Sequence, residues 1–154
     1  MIEPLRIELD LACSAEQAFR TWTERFATWW PRGHTVSGDP DEIVLEPRLG
    51  GRIYERTRDG AEIDWGMLTA WDPPRALSYI YGTFAATGVM PLTSRSAFHG
   101  LDERRCRLEI VHTWWQRLGA QGAAWRNANQ AGWSGLLPSY LAVLVVDPVD
   151  QPSP

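Results

Sequence analysis

The sequence contains no lysine, and all fifteen of its basic residues are arginine. Schiff-base chemistry on a lysine side chain is therefore excluded. Acidic residues outnumber basic ones, nineteen to fifteen, which gives a formal net charge of −4. Non-specific nucleic-acid binding depends on neutralising phosphates with basic side chains, so this balance predicts no nucleic-acid partner.

Cysteine and histidine are also scarce, with two cysteines, Cys13 and Cys106, and three histidines in the chain. Two cysteines do not make a disulfide framework, and histidines without a neighbouring cysteine pair or a His–Glu cluster do not specify zinc or iron. Neither cysteine has a recognisable partner base, which argues against thiol catalysis. We expect no metal and no cofactor.

Long apolar runs and nucleotide-binding motifs are missing as well. No stretch approaches the roughly 18 apolar residues that a membrane-spanning helix requires, and the first six residues include the charged Glu3 and Arg6 rather than an apolar block. There is no Walker loop, GxGxxG motif or serine nucleophile elbow. A chain of 154 residues that is 44% hydrophobic predicts one cytoplasmic globular domain over residues 1–146, without a membrane partner.

The most informative segment runs from Glu46 to Tyr81, where three strand-like runs are separated by strong turn signals. Asp59-Gly60 joins the first run to the second, because these residues tolerate the positive φ of a tight hairpin turn. Pro73-Pro74 separates the second run from the third, since neither proline can donate a ladder hydrogen bond. The segment is therefore predicted to be an antiparallel meander.

The elements before the meander are a strand and two short helices. Apolar residues alternate with charged ones from Leu5 to Leu11, as in a half-buried strand. Ser14, with Gln17 three residues later, predicts the N-cap of a first helix. A second helix is predicted near Thr23 to Trp30, since Pro31 disfavours helix at the residue before it. A short strand over Ile43 to Glu46 follows a loop.

The elements after the meander are a hairpin and one long helix. Residues 82–91 are predicted to form a loop, and Leu92 to His99 with Arg104 to Trp115 a hairpin. A wide apolar stripe from Ala123 onward predicts an enclosed helix, and Pro138 is expected to bend it. Residues 147–154 contain three prolines and are predicted to be a disordered tail. The order predicts an α+β domain with a curved antiparallel sheet.

Several of these motifs, in this order and spacing, resemble the START-like or SRPBCC proteins, and within them the branch named after the activator of heat-shock protein 90 ATPase. The likeness extends from Leu5 to Leu144. It implies a helix-grip fold, in which the sheet wraps around the C-terminal helix with a cavity between them. The superfamily hosts unrelated activities on one scaffold. The motifs that carry the resemblance are Glu46-Pro47-Arg48, Gly50–Glu55, Asp59-Gly60, Trp65-Gly66, Ala70–Arg75, Val111–Trp114 and Gly132-Trp133.

Aromatic and apolar residues at alternating strand positions suggest the wall of that cavity, with two more supplied by the helix. Such a wall, with a few polar tips, is typical of a small-molecule pocket, although the same residues could simply fill a core. The predicted ligand-binding residues are Trp65, Met67, Tyr79, Tyr81, Ile110, His112, Trp114, Trp133, Tyr140 and Glu55.

Two of these residues, His112 and Glu55, have alternative interpretations. His112 on an apolar face could act as a general acid or base with a lowered pKa, or it could be a core histidine bonded to backbone or to Tyr140. Glu55 shares its face with apolar neighbours and could form a buried pair with Arg95 or another arginine, or orient a ligand. His112 is the candidate catalytic residue, which Glu55 or Tyr79 could assist.

Three functions remain open from the sequence. No complete catalytic constellation emerges, which favours a non-catalytic module that binds a hydrophobic or aromatic small molecule. The second is an enzyme of the cyclase, dehydratase or hydrolase type that uses His112 for proton transfer. The third, implied by the family resemblance, is a co-chaperone that stimulates a heat-shock protein 90-type ATPase. One indole of Trp114-Trp115 must face away from the core, which suggests a homodimer contact.

Overall fold

The computed structural model describes residues 2–81 and 92–146. Within these residues, seven strands form one antiparallel sheet in the order β1-β7-β6-β5-β4-β3-β2. The sheet curls into a half-barrel, and its two ends are β1 and β2. The strands are β1 (Leu5–Leu11), β2 (Glu42–Leu45), β3 (Arg52–Arg56), β4 (Glu62–Asp72), β5 (Ala76–Tyr81), β6 (Leu92–Asp102) and β7 (Arg105–Thr113).

Helices lie against the concave face of this sheet. α1 (Ala15–Glu24) and α2 (Phe26–Trp29) connect β1 to β2, and a 3-10 helix (Trp115–Gln121) leads from β7 into the long C-terminal helix α3 (Gly122–Val146). The Ser14 hydroxyl accepts a hydrogen bond from the backbone N–H of Gln17 at 3.1 Å, which confirms the predicted N-cap of α1. The arrangement is the predicted helix-grip fold.

The core is built around the indole of Trp22 on α1. Its ring stacks against Trp133 of α3 at 5.7 Å and meets Tyr140 of the same helix edge-on at 5.1 Å. The Tyr140 hydroxyl donates a 2.7 Å hydrogen bond to the Ala18 carbonyl, so the phenol ties α3 to α1 while it is fully buried. Large aromatic side chains thus hold the helices together, and the buried Tyr140 hydroxyl is satisfied by a backbone carbonyl.

Two β-bulges in β4 change which side chains face the helices. Trp65 has no partner in β3, because Ile53 pairs with Gly66 and Tyr54 with Asp64. Thr69 is likewise skipped in the pairing with β5. Each extra residue shifts the alternation of the strand by one. As a result Leu68 is buried, whereas Met67 points outward and is 42% exposed.

Strict alternation had predicted that Met67 shares the inward face with Trp65, and this prediction is wrong. The reason is the bulge at Trp65, which a pattern with a period of two cannot anticipate. The second bulge brings Trp71 back to the inner face, where its ring lies 5.2 Å from that of Phe19.

The remaining predictions from the sequence match the element order and differ at the boundaries. α2 is shorter than predicted, the β6–β7 hairpin ends at Thr113, and α3 contains Pro138 as expected. The predicted loop over residues 82–91 and the tail over 147–154 lie outside the described residues. In the part of the chain that the structure describes, no helix is long and apolar enough to cross a membrane.

We predict that Gly66→Ala destabilises the protein and that Gly132→Ala does not. A Cβ at Gly66 would collide with the carbonyl oxygen of Ile80 on the paired strand, whereas a Cβ at Gly132 in α3 meets nothing within 4 Å. We expect Gly66→Ala to lower the free energy of unfolding by about 1–3 kcal/mol, and Gly132→Ala to raise it by about 0.5–1 kcal/mol. Urea unfolding of both variants measures the difference, and equal effects would contradict the close strand approach.

Candidate functional site

A cavity of about 490 Å³ lies between the concave face of the sheet and α3. Its volume falls within the range of about 300–1,000 Å³ that is common for small-molecule sites. The cavity draws residues from both short helices, the α2–β2 loop, five strands and α3. It is lined by Trp22, Phe26, Trp30, His34, Thr35, Val36, Leu45, Ile53, Asp64, Trp65, Tyr79, Tyr81, His112, Trp125, Ala128, Asn129, Gly132, Trp133 and Leu136.

Aromatic rings in mutual contact form one side of the cavity. Trp30 lies 5.4 Å from Trp65 and 5.1 Å from Phe26, measured between ring centroids. The Trp30 indole also meets Trp133 of α3 edge-on at 6.2 Å. Tilted and edge-on contacts at these distances are favourable, so the rings support one another and present a stiff apolar surface to the cavity.

A buried polar cluster around His112 of β7 forms a second part of the cavity wall. The imidazole is 2% exposed, and Nδ1 lies 2.6 Å from the hydroxyl of Tyr81 on β5. Nε2 accepts a 3.0 Å hydrogen bond from the indole N–H of Trp133 and lies 3.1 Å from the hydroxyl of Ser94 on β6. Both ring nitrogens are therefore occupied, and sheet and helix meet at this one side chain.

The partners of His112 determine its tautomer. An indole N–H can only donate, so Nε2 must be the unprotonated nitrogen that accepts from Trp133. A neutral imidazole then carries its hydrogen on Nδ1, which donates to the Tyr81 hydroxyl oxygen. Burial lowers the pKa of His112 from 6.5 to about 4, which keeps the ring neutral at pH 7.

The two tyrosines beside His112 are held in their neutral form. Burial raises the pKa of Tyr81, and the neighbouring Tyr79 raises it further. Burial also raises the pKa of Tyr79, although a hydrogen bond with Ser94 opposes this shift. The polar end of the cavity is therefore a set of uncharged hydroxyl and imidazole groups at neutral pH.

Glu55 of β3 is fully buried and fixes the loop at one edge of the cavity. Its carboxylate accepts hydrogen bonds from the backbone N–H of Val36 at 2.6 Å, from the N–H and hydroxyl of Ser37, and from the Trp65 indole at 2.9 Å. Burial raises the pKa of Glu55, but these hydrogen bonds outweigh it and leave the pKa below its ordinary value. Glu55 thus anchors the α2–β2 loop and orients the Trp65 ring.

The structure brings five of the ten predicted binding residues to the cavity: Trp65, Tyr79, Tyr81, His112 and Trp133. Ile110 and Tyr140 are buried in the core and do not line the cavity, and Glu55 lies behind Trp65. The prediction that Glu55 pairs with an arginine such as Arg95 is wrong. Its carboxylate accepts hydrogen bonds from groups of the α2–β2 loop and from the Trp65 indole instead. His112 bonds to Tyr81, Ser94 and Trp133, and not to Tyr140.

Trp114 also lies outside the cavity, contrary to prediction. β7 ends at Thr113, and Trp114 adopts a left-handed conformation with φ of 74°, so strand alternation no longer applies. Its indole is 44% exposed, with the Arg117 guanidinium 4.1 Å above the ring. Trp115 is buried instead and donates from its indole N–H to the His112 carbonyl. A homodimer contact at Trp114 stays a prediction.

Sequence reasoning missed the contribution of the α2–β2 loop and of the first half of α3. His34, Thr35 and Val36 line the cavity, and Glu55 holds this loop through Val36 and Ser37, a contact that no local pattern encodes. Trp125 and Asn129 could have been predicted as lining residues. Spacings of four and three residues place them on the same face of α3 as Gly132. Among the described residues, no group of three or more His, Cys, Asp or Glu side chains is placed to hold a metal.

A half-barrel sheet that grips a C-terminal helix, with a cavity between them, defines a START-like domain. The family model described as "Activator of Hsp90 ATPase homolog 1-like protein" matches residues 12–145. The chain belongs to this family.

Solved structures of other proteins share the fold. The self-sacrificing resistance protein CalC from Micromonospora echinospora is 24% identical, with a TM-score of 0.70 over 92% of this chain and 93% of that one. The anthrahydroquino-gamma-pyrone synthase Txn09 is 29% identical, with a TM-score of 0.55 over 80% of this chain and 84% of that one. An HSP90 activator from Plasmodium falciparum is 14% identical, with a TM-score of 0.51 over 71% of each chain. A search of curated proteins found no match.

We predict that His112 makes the stability of the protein depend on pH between about 6.5 and 4. Because its pKa is 6.5 when unperturbed and about 4 in the fold, the unfolded chain binds the proton first. The contribution of neutral His112 to the free energy of unfolding is complete above pH 6.5 and falls by about 3 kcal/mol as the pH drops to 4. Urea unfolding from pH 7 to 4 measures this slope, and His112→Gln should remove it. An equal slope in the variant would contradict the assignment.

A second prediction concerns the tether between Glu55 and the α2–β2 loop. Glu55→Gln should speed amide hydrogen exchange at Val36 and Ser37, because a neutral amide cannot replace a carboxylate that accepts from several donors. Glu62→Gln, on an exposed carboxylate of β4, is the matched control. The pKa of Glu55 lies below its ordinary value of 4.5. The carboxylate is therefore ionised and the tether complete above pH 4.5, and the tether weakens as the pH falls through the lowered pKa of the folded protein. Unchanged exchange in Glu55→Gln would refute the tether.

Proposed function

We propose that this protein is a binding module for a hydrophobic or aromatic small molecule, held in the cavity between the sheet and α3. The observation that carries the proposal is the division of one cavity into an aromatic side and an uncharged polar end. Small-molecule sites commonly combine an apolar lining with a few placed polar groups that fix orientation. The family fold fits a ligand-binding domain.

The surroundings of His112 favour binding over catalysis by this residue. A general base needs a nitrogen within hydrogen-bond reach of the proton that it abstracts. Nε2 of His112 already accepts from Trp133, and Nδ1 faces Tyr81. The Tyr81 hydroxyl occupies the Nδ1 side of the imidazole, and its raised pKa opposes proton release. The group that meets the ligand is therefore a neutral hydroxyl.

The two other functions have less support. Txn09 is named as a synthase and is 29% identical to this chain, which keeps an enzyme acting on an aromatic substrate as the second candidate. The likeness to the HSP90 activator from Plasmodium falciparum, at 14% identity, shows the fold alone. No described residue gives an independent reason for a co-chaperone role.

The proposal is tested by filling the cavity from α3. Gly132 lines the cavity, and a Cβ there meets no atom within 4 Å, so Gly132→Phe should place a ring inside it. Ala131, exposed on the same helix and absent from the lining, provides the matched control Ala131→Phe. With Nile red, a neutral planar dye that fluoresces in apolar surroundings, we expect Gly132→Phe to weaken binding at least about tenfold and Ala131→Phe to leave it unchanged.

Native mass spectrometry of the purified protein should show a retained small molecule in wild type and lose it in Gly132→Phe. A molecule recovered unchanged after incubation supports binding, and one recovered chemically altered supports the enzyme instead. Equal dye affinity in wild type and Gly132→Phe would contradict the proposed site.

A further inference from the structure

The hydrogen atoms in the cluster around His112 can be assigned one by one. Trp133 must donate to Nε2, so the single N–H of the neutral imidazole is on Nδ1 and points to the Tyr81 oxygen, 2.6 Å away. The Tyr81 hydroxyl is therefore the acceptor in this pair, and its own hydrogen is not used there.

This hydrogen has no acceptor among the described residues. His112 is the one hydrogen-bond partner of the Tyr81 hydroxyl in residues 2–81 and 92–146. A half-buried hydroxyl without an acceptor is less stable than one that is satisfied, so a guest that supplies an acceptor gains affinity. Donation from Nδ1–H to the Tyr81 oxygen also polarises the hydroxyl and strengthens it as a donor.

The charges around the cavity indicate what kind of acceptor fits. No arginine lines it in the part of the chain that the structure describes, and its one carboxylate, Asp64, is paired with Arg52 on β3. An anionic ligand would have to bury its charge without a cation, which is unfavourable. A neutral carbonyl or phenolic oxygen needs only the one donor.

We propose that Tyr81 donates a hydrogen bond to the carbonyl or phenolic oxygen of a neutral, planar aromatic ligand, with His112 and Trp133 as positioning residues that fix the direction of donation. This inference rests on the proposed function and adds the ligand class and its orientation. The oxygen-bearing end of the ligand lies toward β5 and β7. Its ring lies toward the indoles of Trp30 and Trp65, whose flat faces suit a planar guest.

The test compares 9-fluorenone with fluorene, two tricyclic probes of the same shape that differ in one carbonyl group. Binding is followed by quenching of tryptophan fluorescence or by calorimetry. Tyr81→Phe should weaken fluorenone binding about two- to tenfold, the usual effect of one hydrogen bond, and leave fluorene binding unchanged. Tyr54→Phe removes a hydroxyl from a residue that does not line the cavity and should change neither affinity.

Infrared spectroscopy of bound fluorenone provides a second readout that does not need a variant. The carbonyl stretch should lie at lower frequency in the complex than in a hydrocarbon solvent, and Tyr81→Phe should return it to the solvent value. An unshifted stretch in the wild-type complex would overturn the inference even if Tyr81→Phe fails to fold.

The outcomes separate the inference from the function on which it rests. If each probe binds Tyr81→Phe with the same affinity as wild type, the donor assignment is overturned while the cavity proposal stands. If neither probe binds wild type, both proposals fail. Nitrogen-15 spectra of His112 that show the hydrogen on Nε2 would also overturn the inference, since Tyr81 would then donate to Nδ1.

Discussion

The hydrogen bond from the Trp133 indole to Nε2 of His112 is the contact on which the site depends. It joins the C-terminal helix to β7 of the sheet in an apolar environment, where leaving either group unpaired would be costly. Because an indole N–H cannot reverse its role, this bond also fixes the imidazole tautomer and, through it, the Tyr81 hydroxyl. One obligatory donor therefore sets both how the helix docks and how the polar end of the cavity is oriented.

Glu55 performs a comparable task at the other side of the cavity without a cation. Its carboxylate gathers donors from Val36, Ser37 and Trp65, so the α2–β2 loop and one aromatic wall residue share a single anchor. Several hydrogen bonds to a buried carboxylate can offset its desolvation when their geometry is good. The cavity is thus bounded by a loop that one side chain from β3 helps to hold in place.

The fold could be predicted from the sequence to a much greater extent than the site. Asp59-Gly60, Pro73-Pro74 and the Ser14 cap act locally, so the element order and the meander were recoverable from residues a few positions apart. The inward and outward faces of β4 could not be predicted, because the bulges at Trp65 and Thr69 depend on pairing with neighbouring strands. Trp114 was misplaced for a related reason, since its left-handed backbone ends the alternation. The loop residues of the cavity depend on a contact across nineteen positions of sequence.

The two bulges of β4 also bear on how relatives with this architecture could diversify. Each adds one residue, so together they restore the original phase of the strand beyond Thr69, and only the short piece between them is inverted. Loss of either bulge residue, Trp65 or Thr69, would turn that bulge into a regular pair and would leave Leu68 facing inward and Met67 facing outward. A one-codon deletion, which ordinarily inverts the rest of a strand, would here preserve the phase on both sides and change only the local contour of the chamber.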